Sequence, residues 1–407
     1  MLEAETTRSL TTVSRRLKRT KTTLCLVFVL SLGTFLSLRF SVSLKGSDFP
    51  DFYCAARMLA DGQGHQLYDS DLQRQYQAHY AGRVGTLYIH PPPEAALYLA
   101  VAWLPLKQAY WLWLWLNIAG LAIAACCLAR NALLLWEWSS VLAAWLTFVP
   151  VLLCLQQGQD SILLLLLMVL AFIPLRRGQG FAAGCWLGLA LFKFQLVLPL
   201  VVVLVLAGRG KTRGDLAKGF CLAAIAFAAV SAVISGWHVF LTYPKFLMHL
   251  QAQPFAGISP NAMANLRGLT SLLLANEHSA WLIPMVATLS AAALVQTLIA
   301  WKHAQAAVNS DSTQGVDSAF STTVLFALLV SYHLNPHDLS LLLIPLSVLL
   351  HEKRAQKALQ WTMFSLIGIL FLPPLHIWML IAESYALVAL PILALFLAAS
   401  VVRHKGG

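Results

Sequence analysis

The sequence predicts an all-α protein that crosses a membrane many times, and three observations lead there. Hydrophobic residues fill 59% of the 407 positions and charged residues only 11%, with a mean hydropathy of +0.71. Soluble chains run nearer half apolar and a quarter charged, so this one is too apolar for water. The apolar residues also come in runs of about 20, the length a helix needs to cross a hydrocarbon core of about 30 Å. In lipid every backbone polar group must be satisfied within its own segment, which selects helices. Third, the basic residues sit in short clusters between the runs: Arg15, Arg16, Lys18, Arg19 and Lys21; Arg176 and Arg177; Arg209, Lys211, Arg213 and Lys218; Lys353, Arg354 and Lys357; Arg403 and Lys405. The formal charge of +11 is therefore a marker of which loops stay inside. No basic groove interleaved with aromatics points to a nucleic-acid partner.

Taken in order, residues 1–22 read as a basic cytoplasmic segment and 23–407 as a single transmembrane domain. The apolar core Leu24 to Leu38, followed by Ser41-Val42-Ser43, has the shape of a signal sequence; the later topology fits if it is a retained anchor. Span one, 23–44, then runs outward. The polar stretch 45–92 becomes a first external loop with room for two short interfacial helices, 49–60 and 70–80, the second capped by Asp69 or Ser70. The turn Asp61-Gly62-Gln63-Gly64 separates them. Pro91, Pro92 and Pro93 suit a helix start, and the apolar run they open, to Pro105, is too short to cross, so it reads as re-entrant or surface-lying.

Span two, 109–128, returns to Arg130, with Trp111, Trp113 and Trp115 spread around it as an interfacial belt. Span three, 133–155, leads out to Gln156-Gln157-Gly158-Gln159-Asp160, and span four, 161–175, comes back to Arg176. Residues 181–207 have basic clusters at both ends but length for only one crossing. Phe192-Lys193-Phe194-Gln195 and Pro199 interrupt the middle. Two half-length helices meeting inside the membrane reconcile these facts, with Lys193 and Gln195 at the tip; such breaks are tolerated where they line a cavity. After that, 216–235 goes out, 236–279 forms a second large external loop, and 280–300 returns. An internal loop spans 302–317, 318–332 goes out, 333–338 turns, 339–350 returns, 359–372 goes out and 385–402 ends inside. The total is about twelve membrane segments. Six of the seven cysteines lie in apolar runs and Cys54 stands alone in the first loop, so neither a disulfide framework nor a metal-site spacing emerges.

With the spans drawn, the unusual polar residues collect on the outer side: Asp48, Asp51, Tyr53, Arg57, His65, Tyr68, His90, Gln159, Asp160, Lys193, Gln195, Arg267, His333, His337 and Asp338. That asymmetry points to a site facing the exterior. Within it, the run Asp48 to Arg57 (Asp-Phe-Pro-Asp-Phe-Tyr-Cys-Ala-Ala-Arg), Leu67-Tyr68-Asp69, His90-Pro91-Pro92, Gln157-Gly158-Gln159 and Lys193-Phe194-Gln195 follow in that order. The ordered set resembles the GT-C superfamily of polytopic glycosyltransferases, and within it family 87, the polyprenyl-phosphate-mannose-dependent mannosyltransferase-like proteins. The resemblance covers roughly Asp48 to Pro199; the C-terminal half matches only through Asn335-Pro336-His337-Asp338. The family usually shows an aromatic before the double proline, where this chain has His90.

The resemblance implies a GT-C fold and transfer of a hexose, mannose first, from a polyprenyl-phosphate donor to a lipid or glycan acceptor at the external face of a bacterial inner membrane. Asp48 matches the family's first-loop base, which takes the acceptor's proton as its oxygen attacks the anomeric carbon. Charge grows on the departing phosphate, so cationic or amide donors are needed around it. Lys193 is the first candidate, Arg57 or Arg267 the guanidinium candidates, and Gln159, Gln195, Tyr53, His90 and His337 complete the expected substrate-binding set. No cofactor is called for, and although external carboxylates could take a divalent ion, no ligand spacing demands one.

Plainer readings stand beside these. Asp48 or Asp51 could cap the helix at Phe49, Arg57 could anchor a headgroup, His90 could be structural, Gln159-Asp160 could be loop and cap, and His337-Asp338 a cap beside a surface histidine. Lys193 near mid-membrane costs roughly 2.5 to 3.5 kcal/mol, so it needs either a partner or a phosphate. A transporter or flippase would use the same broken helix as a midplane site, and a polysaccharide ligase would share the lipid-phosphate chemistry. The large one-sided loop and the lack of an evident repeat favour the transferase.

Overall fold

The computed structural model describes residues 47–132, 136–251, 259–274, 279–306, 314–351 and 356–402. The basic N-terminal segment, span one and the cluster at Arg403 fall outside these. Among the described residues the chain is helical throughout, with no strand.

The first loop folds into a small aromatic core of its own. Helix α1 (Phe49–Ala60) begins at Asp48, carries Pro50 in its first turn, and has Asp51 near its start and Arg57 near its end, matching the helix dipole. It ends at Asp61 and Gly62, where φ is +74°. The sequence predicts an interfacial helix here. Instead α1 is enclosed on nearly every side, because Phe49 and Phe52 plug an aromatic cluster: Phe52 stacks on Tyr98 at 4.7 Å, and Tyr98 on Trp113 at 4.1 Å. Of the three tryptophans expected as a belt, Trp113 thus turns inward while Trp115 is exposed. Helix α2 (Ser70–Tyr76) is capped as expected by Asp69, whose side chain accepts from the amides of Asp71 and Leu72, and runs into a π-turn over Gln77–Ala81. The short helices α3 (Pro92–Leu97) and α4 (Leu99–Ala102) start at Pro91 and pack against α1, so the segment is too short to cross, as read.

The bundle follows. Helix α5 (Leu106–Asn131) is a continuous apolar helix long enough to span. The single span expected at 133–155 is two helices, α6 (Trp138–Leu146) and α7 (Val149–Gln157), bent by 73°. Phe148 is extended, and Pro150 supplies no amide to continue the ladder of α6. Helix α8 (Ser161–Arg176) follows, then the predicted broken pair α9 (Gly180–Leu189) and α10 (Phe194–Ala207), joined through Leu191–Lys193 at a bend of 64°. Gly180, Gly184 and Gly188 lie on one face of α9 and press against α11 (Gly210–Ser235), where Gly219 answers them; a methyl group at Gly180, Gly184 or Gly219 would collide with backbone across the contact.

Helices α12 (Val239–Gln251) and α13 (Leu266–Leu274) occupy the second loop. Helix α14 (Leu282–Ala306) spans, α15 (Gln314–Val330) and α16 (Leu343–Leu349) are shorter, and the span expected at 359–372 continues past a 53° bend as α17 (Lys357–Leu370) and α18 (Pro373–Ile381). The residue before Pro373 is forced to extended backbone, which makes that bend. Helix α19 (Ala389–Ser400) closes the chain's described part. By length and apolarity three described helices can cross a membrane, or six if each bent pair is one span. The remaining segments among the twelve expected are shorter helices or lie outside the described residues.

Candidate active site

Asp48 sits at the N-cap position of α1, but its side chain does not cap. Pro50 has no amide to offer it and the Asp51 amide donates to the Asp48 carbonyl at 2.9 Å, while Ser47 Oγ takes the Phe49 amide at 3.3 Å, so the Asp48 carboxylate turns away. It accepts a 2.6 Å hydrogen bond from Gln159 Nε2 and stays half-buried. Burial pushes its pKa above the ordinary value, opposed first by the Gln159 bond and then by His90, Lys193 and Arg83. Asp51, one turn on, is the structural carboxylate. Gln77 donates to it at 3.0 Å and Thr86 Oγ1 to its other oxygen, and burial raises its pKa to about 7.

Gly158 explains why Gln159 is there. It ends α7 in the left-handed region, φ +66°, and the Phe49 side chain rests where a Cβ would be. Its carbonyl accepts from Tyr98 Oη at 3.0 Å and the Gln157 carbonyl from Ser47 Oγ at 3.1 Å, so the loop is bolted to α1 and to the aromatic core. The turn thus points Gln159 at Asp48 and delivers the next residue, Asp160, to the other half of the site.

That half is a buried ion cluster. Lys193 Nζ lies 3.1 Å from Asp160 Oδ1 and 2.9 Å from Asp338 Oδ1, with all three side chains at most 2% exposed. Asp338 also accepts from Ser161 Oγ at 2.7 Å, and its second oxygen caps Asn335 at 3.0 Å. The expected cap at Asp338 is therefore real, and the same carboxylate holds the lysine. Next to these, His90 Nδ1 lies 3.0 Å from Glu94 Oε1, and His337 Nδ1 meets Gln157 Oε1 at 2.7 Å. Burial holds His90 down to about 4, so its imidazole is neutral at neutral pH. Gln159 Oε1 and His337 Nε2 are buried polar atoms with no hydrogen-bond partner among the described residues.

The structure therefore brings together Asp48, Gln159, His90, His337 and Lys193, from five separate stretches of sequence. It leaves others apart. Arg57 donates to the Ala102 carbonyl at 2.9 Å and to Tyr80 Oη at 3.0 Å, and Tyr53 donates to the Leu104 carbonyl at 2.9 Å; both bind the loop's own core. Arg267 lies over the Tyr332 ring and donates to the Tyr332 carbonyl at 3.0 Å. Gln195 is half-buried in the first turn of α10, and its side chain makes no hydrogen bond among the described residues. Two site residues, Arg83 and Glu94, escaped sequence reasoning. Arg83 donates to the Ser47 carbonyl at 2.6 Å, putting a guanidinium beside Asp48. Glu94 is fully buried. For Asp160, placed in the outer polar set with a cap as the plainer reading, the side chain caps nothing. The signal for Glu94 was present: an ionisable residue in an apolar run needs a reason to be there. Among the described residues no cluster of three or more metal-ligand side chains forms.

Helices apolar enough for lipid, carrying at one end a half-open aspartate beside buried acids, histidines and a lysine, define a polytopic membrane enzyme. Its kind is given by comparison: the model of glycosyltransferase family 87 matches residues 88–332, more than half of the chain. The chain belongs to glycosyltransferase family 87 and is a membrane glycosyltransferase. The matched stretch holds His90, Gln159, Asp160 and Lys193, whereas Asp48 and His337 lie outside it and are tied to the site by geometry. Searches of curated proteins and of solved structures each returned no match.

Proposed function

We propose that this glycosyltransferase moves a hexose, mannose first, from a polyprenyl-phosphate donor to a lipid or glycan acceptor at the external membrane face, by a single displacement with inversion. Asp48 takes the proton of the acceptor hydroxyl as its oxygen attacks the anomeric carbon. The bond from that carbon to the phosphate oxygen breaks, and polyprenyl phosphate leaves. The observation that carries this reading is a carboxylate at a helix start that is released from capping and oriented by Gln159 instead. A raised pKa makes it a better proton acceptor than an ordinary aspartate.

The other roles follow from which groups are spoken for. Lys193 is engaged by two carboxylates, so it acts by fixing Asp160 and Asp338 and offers at most its remaining N–H to the donor phosphate. Arg83, half-buried beside Asp48, is better placed than Arg57 or Arg267 to meet phosphate oxygens. The unpartnered Gln159 Oε1 and His337 Nε2 are acceptors for sugar hydroxyls. No cofactor enters this scheme.

Release of free polyprenyl phosphate by the purified protein, assayed with a panel of lipid-linked sugars with and without acceptor, tests it. Mannosyl donor should be consumed only when acceptor is present, and the D48N variant should bind donor yet turn over at least about a thousandfold more slowly, at the upper part of the range for losing a general base. Undiminished turnover by D48N would remove Asp48 from the reaction. Donor movement across vesicles without cleavage would replace the transferase by a carrier.

A further inference from the structure

Glu94 has no part in the scheme above, yet it sits fully buried in the first turn of α3. The helix dipole favours an acid there, but burial without donors penalises its charged form more strongly. Neither Glu94 oxygen accepts a hydrogen bond among the described residues, and beyond the ionic contact of Lys193 the same is true of both Asp160 oxygens. The two carboxyl groups nonetheless lie within hydrogen-bonding reach of each other. Two carboxylates offer only acceptors and repel, so a buried contact between them requires a proton.

The surrounding charges lead to the same result. Lys193 faces Glu94, Asp160 and Asp338 together, and its ammonium is already engaged by the two aspartates. His90 and His337 are kept neutral by burial, and Tyr68, Tyr88, Tyr98 and Tyr243, which also surround Glu94, are neutral phenols. On α1, packed against α3, Asp51 and Arg57 have the partners described above and Asp48 faces Gln159; α4 carries no charge, and α11 none after Lys218. Burial raises the pKa of both Glu94 and Asp160, and the Glu94 charge raises that of Asp160 further. His90 completes the arrangement. Its Nδ1 lies 3.0 Å from Glu94 Oε1, a distance at which a hydrogen must stand between nitrogen and oxygen. The ring packs on Phe52 at 4.9 Å, keeps 23% of its side chain exposed, and lies within electrostatic reach of Asp48. Its Nε2 makes no hydrogen bond among the described residues.

We propose that Glu94 is a positioning residue of this transferase: it shares one proton with Asp160 and holds the Nδ1–H of His90, so that His90 presents a bare Nε2 to a substrate hydroxyl beside Asp48. A neutral imidazole carries its hydrogen on either nitrogen, and one tied at Nδ1 offers an acceptor at the other. When the shared proton leaves at high pH, the two carboxylates repel and His90 loses its anchor. The task of His90 rests on the transferase reading; the shared proton does not.

A glutamine at this position mimics the neutral carboxyl, accepting from His90 and donating to Asp160, so E94Q is the informative variant. Without substrate, the apparent Tm of the full parent chain and of E94Q are compared in detergent from about pH 5 to about pH 8. With its pKa raised above the ordinary 4.5, the folded parent holds a proton that the unfolded chain has released, so its stability falls as pH rises through that window. The parent should lose several degrees relative to E94Q, and a constant difference overturns the shared proton. With mannosyl donor and acceptor, E94A should lose at least about tenfold in kcat/KM. E94Q should recover most of that loss without the parent's fall at high pH, and H90A/E94A should be no slower than H90A. A loss seen only in kcat/KM for the donor assigns the hydroxyl to the sugar, and one seen only for the acceptor assigns it to the acceptor; both uphold the role of His90. E94Q as slow as E94A, or additive losses in the double variant, overturns the proposal. If the parent consumes no lipid-linked sugar, the transferase reading fails, and the Tm comparison still decides the proton.

Discussion

At the scale of single residues, the site depends on how Asp48 is freed from its helix and tuned. Burial raises its pKa and the Gln159 hydrogen bond lowers it, because that bond favours the charged form. The base must be ionised to work, so activity falls as pH drops through the Asp48 pKa, which lies above the usual 3.8. Removing the lowering contact, as in Q159A, should move the acid limb of the kcat/KM profile to higher pH; an unmoved limb would show that another group titrates there. Asp48, Lys193, His90, Gln159 and His337 were legible as candidates from residue type and place between apolar runs. Arg83 was not, since an arginine in a polar loop looks like any solvated charge until Ser47 fixes it beside the carboxylate.

At the scale of elements, one glycine sets the register between α7 and α1. Gly158 has a positive φ and no room for a side chain against Phe49. Alanine there costs about 1–2 kcal/mol for the left-handed backbone alone, and the clash with Phe49 would swing Gln159 off Asp48. G158A should therefore lose far more in kcat/KM than its modest drop in apparent Tm accounts for; a parallel, small loss in both would make the turn merely structural. Helix breaks were readable where a charge or proline sat mid-run with basic clusters outside, as at Lys193. The bend before Pro150 was missed because the run around it is uniformly apolar, and hydropathy does not register the direction of a helix. The bend at Pro373 went unread for a related reason: an apolar stretch continued past the expected end.

At the scale of the whole molecule, Lys193, Asp160 and Asp338 knot three distant segments at one end of the bundle. Removing one partner from a buried ion cluster strands the rest, at about 3–5 kcal/mol. K193M should therefore express poorly and unfold early, whereas K193M/D160N/D338N should recover much of the stability without recovering transfer. If K193M alone proves as stable as the parent chain, the cluster is not a tertiary lock.

The sequence by itself determined that this chain is helical and membrane-bound, that polar chemistry gathers between its apolar runs, and that an ordered series of short motifs marks a family 87 glycosyltransferase. Those properties are local: hydropathy, length and motif order are written along one dimension. Only the tertiary structure decided that Asp48 faces Gln159 instead of its own helix, that Lys193 is held by two carboxylates, and that Arg57 serves the loop core while Arg83 stands by the site. Such pairings join residues tens of positions apart and, for Asp48 with Gln159 and Lys193 with Asp338, more than a hundred, and which partner wins depends on burial and packing that no single stretch of sequence contains.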